Sequence, residues 1–273
     1  MNTNQNILLA FVVFLLSACA TNPFTGKKTL ALMPNSQLLP MSFNQYDQFL
    51  SENKVVTGTA QAKMVNDVGL KIADAAEKWL TANGYKDYLK DYSWAFNLVE
   101  DNTVNAWCMP GGKIVFYTGI MPITNTEARV AAVMGHEVAH ALANHGQQRM
   151  SNAQLQAVGA AAGNLALAND PETQNIFNVA YGIGTNVGIM LPFSRKHETE
   201  ADHIGLILMA IAGYEPAEAA EVWRRMQSKA GGGAPPEFLS THPSSETRIK
   251  NILSWTAEAK AEARKYGVTS FKK

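Results

Sequence analysis

The sequence predicts an α+β fold, mostly helical, with a small β-sheet beside one long helix that carries "VAAVMGHEVAHALANHG" (Val130–Gly146). Three observations predict it. Apolar residues recur at helical spacing along most of the chain. Alternating, extended segments are confined to the stretch between Tyr92 and Met121. No internal repeat divides the chain. With 273 residues, 47% hydrophobic and 17% charged, it can bury a substantial core and is too apolar to be disordered. Lys+Arg and Asp+Glu both total 23, so there is no basic footprint for nucleic acid.

Residues 1–18 are expected to be a signal peptide. Ile7 to Leu16 ("ILLAFVVFLL") is an apolar run of signal-peptide length, too short to span a bilayer. The following "LSAC" (Leu16–Cys19) resembles the lipobox of bacterial lipoproteins. That resemblance implies cleavage before Cys19 and lipid on its thiol and new amino terminus, a firmer anchor than one acyl chain. The leader "MNTNQN" departs from the pattern by lacking Lys and Arg; the plainer alternative is a simple cleaved secretory signal. Ala20 after the cysteine points, by the bacterial sorting rule, to the periplasmic face of the outer membrane. Only Cys19 and Cys108 exist, so lipidation leaves no internal disulfide. Cys108 is expected as a small buried hydrophobe rather than a nucleophile.

Residues 19–50 carry Pro23, Gly26, Pro34 and Pro40 and read as a lipidated N-terminus and tether with a short docking segment. A domain over 51–255 follows, and 256–273 read as a helix end and basic tail. Met64, Val68, Ile72 and Ala75 mark a helix from Ala60 to Leu80, ending near Asn83-Gly84-Tyr85. Tyr92 to Asp101 alternates as a strand. "VNAWCMPGGKIVFYTGIM" reads as two extended segments around the Pro110-Gly111-Gly112 turn. The HEVAH helix opens on Thr124 and Glu127, which have capping-box spacing, and stops around Asn144-His145-Gly146.

Ala/Gly-rich helices are expected over about 152–168 and 171–191, neither with the uninterrupted apolar length of a membrane span. Within the second, "GIGTNVG" (Gly182–Gly188) lacks the preceding strand and glycine spacing of a dinucleotide loop. A further helix runs from Pro192 to near Gly213. Pro216 opens the next, to about Ser228. "GGGAPP" (Gly231–Pro236) is a break before "FLSTHPSSETRI" and a final helix.

The chemistry starts from helical geometry. Residues i and i+4 share a face about 6 Å apart, so His136 and His140 can aim both imidazoles at one ion. Glu137 lies about 100° round the helix, near that ion and not on it, where a general base for a water belongs. Imidazole ligands with an open position favour zinc, one per chain. The bland alternative is a helix with two partly buried histidines, so a third ligand decides. In one class of zinc protease it comes from HExxHxxGxxH. Here Ala143 and Gly146 occupy the glycine and last histidine positions, and His145 is one residue short. The other class takes a glutamate from a later helix, and "HETEAD" (His197–Asp202) offers one. Glu198 and Asp202 form an i, i+4 pair on one face, with Glu200 turned away. They read either as solvated charges or, given the apolar "IGLILMAIAG" beyond, as a half-buried pair that needs a cation.

HEVAH, "SRKHETEAD" and "STHPSSETRI", preceded by "NAWCMPGGKIVFYTG", together resemble the zinc metallopeptidase family of HtpX, the CAAX prenyl proteases and the periplasmic BepA and LoiP proteins, from about Thr57 to Ile252. The resemblance implies a zincin-like domain with His136, His140 and Glu198 as zinc ligands, Glu137 as catalytic base, and Asp202 orienting a ligand histidine. It implies that the loop of His242 reaches the zinc, to stabilise an oxyanion or cap the metal. It also implies that peptide substrate lies along the strand containing Asn105 and Trp107 and ending at Gly112, although Trp107-Cys108 is bulkier than is common there. The chain lacks the membrane spans of the integral members and resembles the lipid-anchored branch. The expected function is zinc-dependent hydrolysis of unfolded or misassembled envelope proteins, with outer-membrane assembly machinery among its partners. The alternative is an assembly factor or chaperone with a latent or structural zinc site.

Overall fold

The computed structural model describes residues 19–152, 154, 194–230, 237–242 and 246–273. The signal peptide, most of the first Ala/Gly-rich helix, all of the second with its "GIGTNVG", and the triple-glycine break lie outside them. The fold is mostly helical with small sheets, as the sequence predicts.

The N-terminal part differs from a plain tether. It forms a hairpin, β1 (Cys19–Thr21) and β2 (Lys28–Leu30), followed by α1 (Asn35–Glu52). Pro40 sits within α1 rather than breaking it. This helix covers one face of a four-stranded sheet: Tyr46 packs with Val99, Trp107, Met109, Val115 and Tyr117.

The sheet comprises β3 (Val55–Val56), β4 (Ala95–Val99), β5 (Ala106–Met109) and β6 (Lys113–Tyr117), ordered β3-β4-β6-β5. β5 and β6 form the expected antiparallel pair across Pro110–Gly112. Gly111 and Gly112 both have positive φ, 80° and 84°, which glycine alone adopts without steric cost. Residues alternate across the pleat, so Phe96, Leu98, Ala106, Ile114 and Phe116 face the main core on the other side.

That core is built on α2 (Ala60–Ala82), α3 (Glu127–Leu142), α4 (Arg195–Ile211) and α5 (Glu218–Ala230), with α6 (Glu237–Thr241) and α7 (Glu246–Arg264) closing it. The α3 cap is Thr126, whose hydroxyl accepts from Arg129 N. The expected Thr124 instead donates to the Ile120 carbonyl in the turn before it. α4 is capped by Ser194, which accepts from His197 N.

α3 and α4 touch backbone to backbone. A Cβ on Gly135 would lie 2.8 Å from the Gly205 carbonyl oxygen, and one on Gly205 would lie 2.9 Å from Gly135 C. The basic tail returns to the body, where Lys272 N donates to the Gly213 carbonyl at 2.9 Å. No helix among the described residues is long and apolar enough to cross a membrane.

Candidate metal centre

The glycine contact brings the motif helix α3 against the "HETEAD" helix α4, and their polar faces meet inside the protein. His136, His140, Glu198 and His242 are all buried and converge on one point. His140 Nε2 lies 3.0 Å from His136 Nε2 and 3.3 Å from Glu198 Oε1. His242 Nδ1 lies 3.2 Å from His136 Nε2 and 3.0 Å from Glu198 Oε1. A tetrahedron with metal–ligand bonds of about 2.0–2.1 Å has edges of about 3.3 Å. Three imidazole nitrogens and one carboxylate oxygen at these separations therefore fit a zinc ion.

His242 enters this cluster from the end of α6, where its N–H donates to the Phe238 carbonyl at 2.8 Å. Its ring stacks on Phe238, centroids 4.5 Å apart. Of the two roles implied for it, capping the metal matches this position.

Glu137 does not join the four. Its carboxylate is buried, 2% exposed, and its Oε1 has no hydrogen-bond partner among the described residues. The nearest charge partner is His242 Nε2 at 3.5 Å. Burial pushes the Glu137 carboxyl up, while His242 and His136 pull the other way.

The carboxylates behind the cluster divide the work. Asp202 Oδ1 is 3.0 Å from His136 Nδ1, where it can accept that ring's proton and leave Nε2 free for a metal. Arg248 was not singled out from the sequence. Its Nε and Nη2 donate to Asp202 at 2.5 and 2.8 Å, and its Nη1 lies 2.7 Å from Glu198 Oε2. Its guanidinium lies 3.6 Å from the Trp223 ring centroid, a cation–π contact. Burial would raise the Glu198 carboxyl, but His242 and Arg248 hold it well below the usual carboxylate range. Burial and Arg248 push the His136 imidazole down; hydrogen bonds to Asp202 and Glu198 more than offset them and lift it to about 9. A proton on His136 thus balances the carboxylates in the metal-free cluster, and a bound dication would replace it.

His145 and Glu200 stand behind the other ligand. His145 is buried and its Nδ1 lies 3.0 Å from His140 Nδ1, outside the metal cluster. Glu200, on the opposite face of α4 from Glu198, lies 3.9 Å from His145 Nε2 and 3.5 Å from Lys27 Nζ. It is turned from the metal, as helical phase predicts, but it is not a free surface charge. His145 and Lys27 hold its carboxyl at about 2 despite partial burial.

The three residues expected to touch substrate are not equivalent. Asn105 is buried, its Oδ1 accepts from Ala106 N at 2.9 Å, and its Nδ2 has no partner among the described residues. The Trp107 indole instead faces α1, 7% exposed, and donates to Tyr117 Oη at 3.2 Å. Gly112 lies under Trp94 and its carbonyl accepts from Ala95 N at 3.0 Å, on the β4 side. Asn105 O accepts from Tyr117 N, so antiparallel alternation turns the main-chain groups of Ala106 and Cys108 away from β6, the Ala106 N–H being taken by Asn105 Oδ1. A small cavity beside α3 is lined by Asn35 and Leu39 of α1 together with Cys108, Pro110, His140 and Asn144. Cys108 is half-buried rather than fully buried as expected; burial pushes its thiol well above its ordinary value, the Glu137 charge adding to this.

Comparisons with known proteins agree with this site. The chain is 38% identical over 177 residues to mitochondrial metalloendopeptidase OMA1 of Schizosaccharomyces pombe, covering 64% of this chain and 50% of that protein. To the Saccharomyces cerevisiae OMA1 it is 34% identical, covering 71% of this chain and 56% of the other. It is 24% identical to the beta-barrel assembly-enhancing protease of Escherichia coli K12, covering 84% and 46% respectively. The chain thus spans about half the length of the curated relatives it matches. The family model for Peptidase family M48 matches residues 68–256, a span holding His136, Glu137, His140, Glu198, Asp202, His242 and Arg248, and the chain belongs to that zinc-dependent family.

Proposed function

We propose that this protein is a zinc-dependent endopeptidase of the bacterial cell envelope that cleaves unfolded or misassembled envelope proteins. One observation carries the enzymatic reading: Glu137, a buried carboxylate beside the metal cluster whose Oε1 makes no hydrogen bond among the described residues. A purely structural site has no use for such a group, which costs stability to keep. When bound, zinc supplies Lewis acidity to a scissile carbonyl and to a water. Glu137 then accepts the water's proton and returns it to the leaving amine. An extended peptide adds to the free edge of β5 through main-chain hydrogen bonds, which read little sequence. Asn105, next to the first residue of that strand, has a buried Nδ2 without a partner among the described residues.

Closure of the site by four protein donors favours a second reading, an assembly factor with a structural or latent zinc, because structural zinc sites are usually closed. Purified protein and Glu137→Gln, assayed for zinc content and for cleavage of an unfolded protein, separate the two. The enzyme reading expects near-stoichiometric zinc in both and activity only in the wild type. Equal absence of cleavage under all conditions favours the assembly factor, and loss of zinc from Glu137→Gln overturns the base assignment.

The compartment and clients rest on the lipobox-like "LSAC" and on the name of the Escherichia coli relative, a protease that enhances β-barrel assembly. The OMA1 relatives are named as mitochondrial, so the chain's own leader is the place to test. Wild type should partition with outer membranes in a bacterial host, and Cys19→Ser should leave a soluble or uncleaved form. Wild type found wholly soluble in the periplasm would overturn the lipid anchor.

A further inference from the structure

We propose that Glu200 is a positioning residue for the zinc ligand His140, acting through His145, and that the N-terminal hairpin is built to hold Glu200 in place. His140 turns Nε2 to the metal cluster, and a neutral imidazole that binds through Nε2 carries its proton on Nδ1. That Nδ1 lies 3.0 Å from His145 Nδ1, so His140 donates and His145 accepts. The proton of His145 therefore sits on Nε2, which points to Glu200 Oε1 at 3.9 Å. This is a charge–dipole contact rather than a short hydrogen bond, and it favours one tautomer and one ring orientation of His145. His145 is further fixed by stacking on His197, centroids 4.3 Å apart.

Glu200 is itself held from the far side. Asn22, 1% exposed, directs its Nδ2 to Glu200 Oε1. Its orientation is set locally, because Asn22 Oδ1 accepts from Phe24 N at 2.9 Å, leaving only the amide nitrogen to face the glutamate. Asn22 N also donates to the Lys27 carbonyl at 2.9 Å, which closes the turn. Lys27 Nζ and Thr25 Oγ1 both approach Glu200 at 3.5 Å. Phe24 stacks on Trp79, centroids 4.1 Å apart and 16° between planes, and pins the turn to α2. The segment directly after Cys19 is thus tied to the metal site through Glu200 and His145 and is not merely a tether. A carboxylate backs each of the two motif histidines: Asp202 directly for His136, and Glu200 through a second ring for His140.

The inference concerns metal binding alone and stands whatever the substrate. It is tested on the full chain, stripped of metal and titrated with zinc against a chromophoric chelator, with the melting temperature of each metal-free variant measured alongside. Glu200→Ala should weaken zinc binding by about 10–100-fold, the usual scale for removing a group behind a ligand. Glu200→Gln keeps an oxygen for the His145 proton and should stay within roughly threefold of wild type, as expected when a neutral acceptor replaces a charged one. Asn22→Ala, which leaves all three metal-side residues intact, should weaken zinc binding in the same direction by a smaller factor. Wild-type zinc affinity in Glu200→Ala would overturn the positioning role. Glu200→Gln as weak as Glu200→Ala, with the same drop in metal-free melting temperature, would show only an ion pair that fastens the hairpin. Wild-type affinity in Asn22→Ala would overturn the coupling to the N-terminus.

Discussion

Three of the four metal-facing side chains stand on long, capped helices, whereas the fourth follows a five-residue one. His136, His140 and Glu198 belong to α3 and α4, of 16 and 17 residues, locked together at Gly135 and Gly205. His242 follows α6, which has 5 residues and meets the body through the Phe238 ring and the bond from Phe238 N to the Val104 carbonyl. The first three are set by the frame and the fourth by a short local element. The difference separates a rigid frame, the helix pair that carries His136, His140 and Glu198, from a short element that brings in His242, and substitutions can test whether α6 controls access to the metal.

The largest effect should come from breaking the frame. Zinc sites of this kind are worth roughly 10–16 kcal/mol, or about 3–5 kcal/mol for each of the three ligands on the frame. Glu198→Ala should therefore weaken zinc by on the order of a hundredfold or more, measured by chelator competition. Wild-type zinc binding in Glu198→Ala would mean that another group is the third ligand.

Asp202→Asn should act more mildly. It keeps an oxygen near His136 Nδ1 but loses the bidentate pairing with Arg248, and zinc binding should fall by about 10–100-fold. An effect as large as that of Glu198→Ala would promote Asp202 from a supporting group to a ligand.

His242→Ala should have the smallest effect on metal binding, and its reading lies in the rate. If α6 governs access, cleavage of an unfolded protein or self-cleavage rises while zinc stays bound. A fall of about 10²–10³-fold with intact zinc would instead identify His242 as an oxyanion donor and remove the distinction between frame and gate.

Much of the frame was legible because its chemistry rides on periodicity. HEVAH and "HETEAD" are helix-spaced, and helical phase alone separates Glu198 from Glu200. Phase says nothing about what packs behind a residue, so Glu200 reads as an outward charge although His145, Asn22 and Lys27 surround it. Arg248 was illegible for a related reason. Arginine is mostly a surface residue, and nothing in "SSETRI" shows that two carboxylates 46 and 50 residues upstream wait for it. α1 was hidden by prolines, since Pro23, Pro34 and Pro40 together resemble a loop while Pro40 is accommodated inside the helix. The α3 cap moved from Thr124 to Thr126 because the turn after β6 claims Thr124 first. The extended segment around Trp107 is the strand the sequence predicts, but strand alternation sends the Trp107 ring to the α1 face, which periodicity within one strand cannot show.

The contact between Gly135 and Gly205 has a consequence for how this protein tolerates change. With no side chain between the helices, the gap between their axes is dictated by peptide atoms, which every substitution leaves alone. Residues around the pair can be exchanged, enlarged or trimmed, and melting temperature will register it, while the spacing from imidazole to carboxylate stays put. A methyl group added at Gly135 or Gly205 would press on the backbone of the facing helix and shift the metal-facing side chains that the two helices carry.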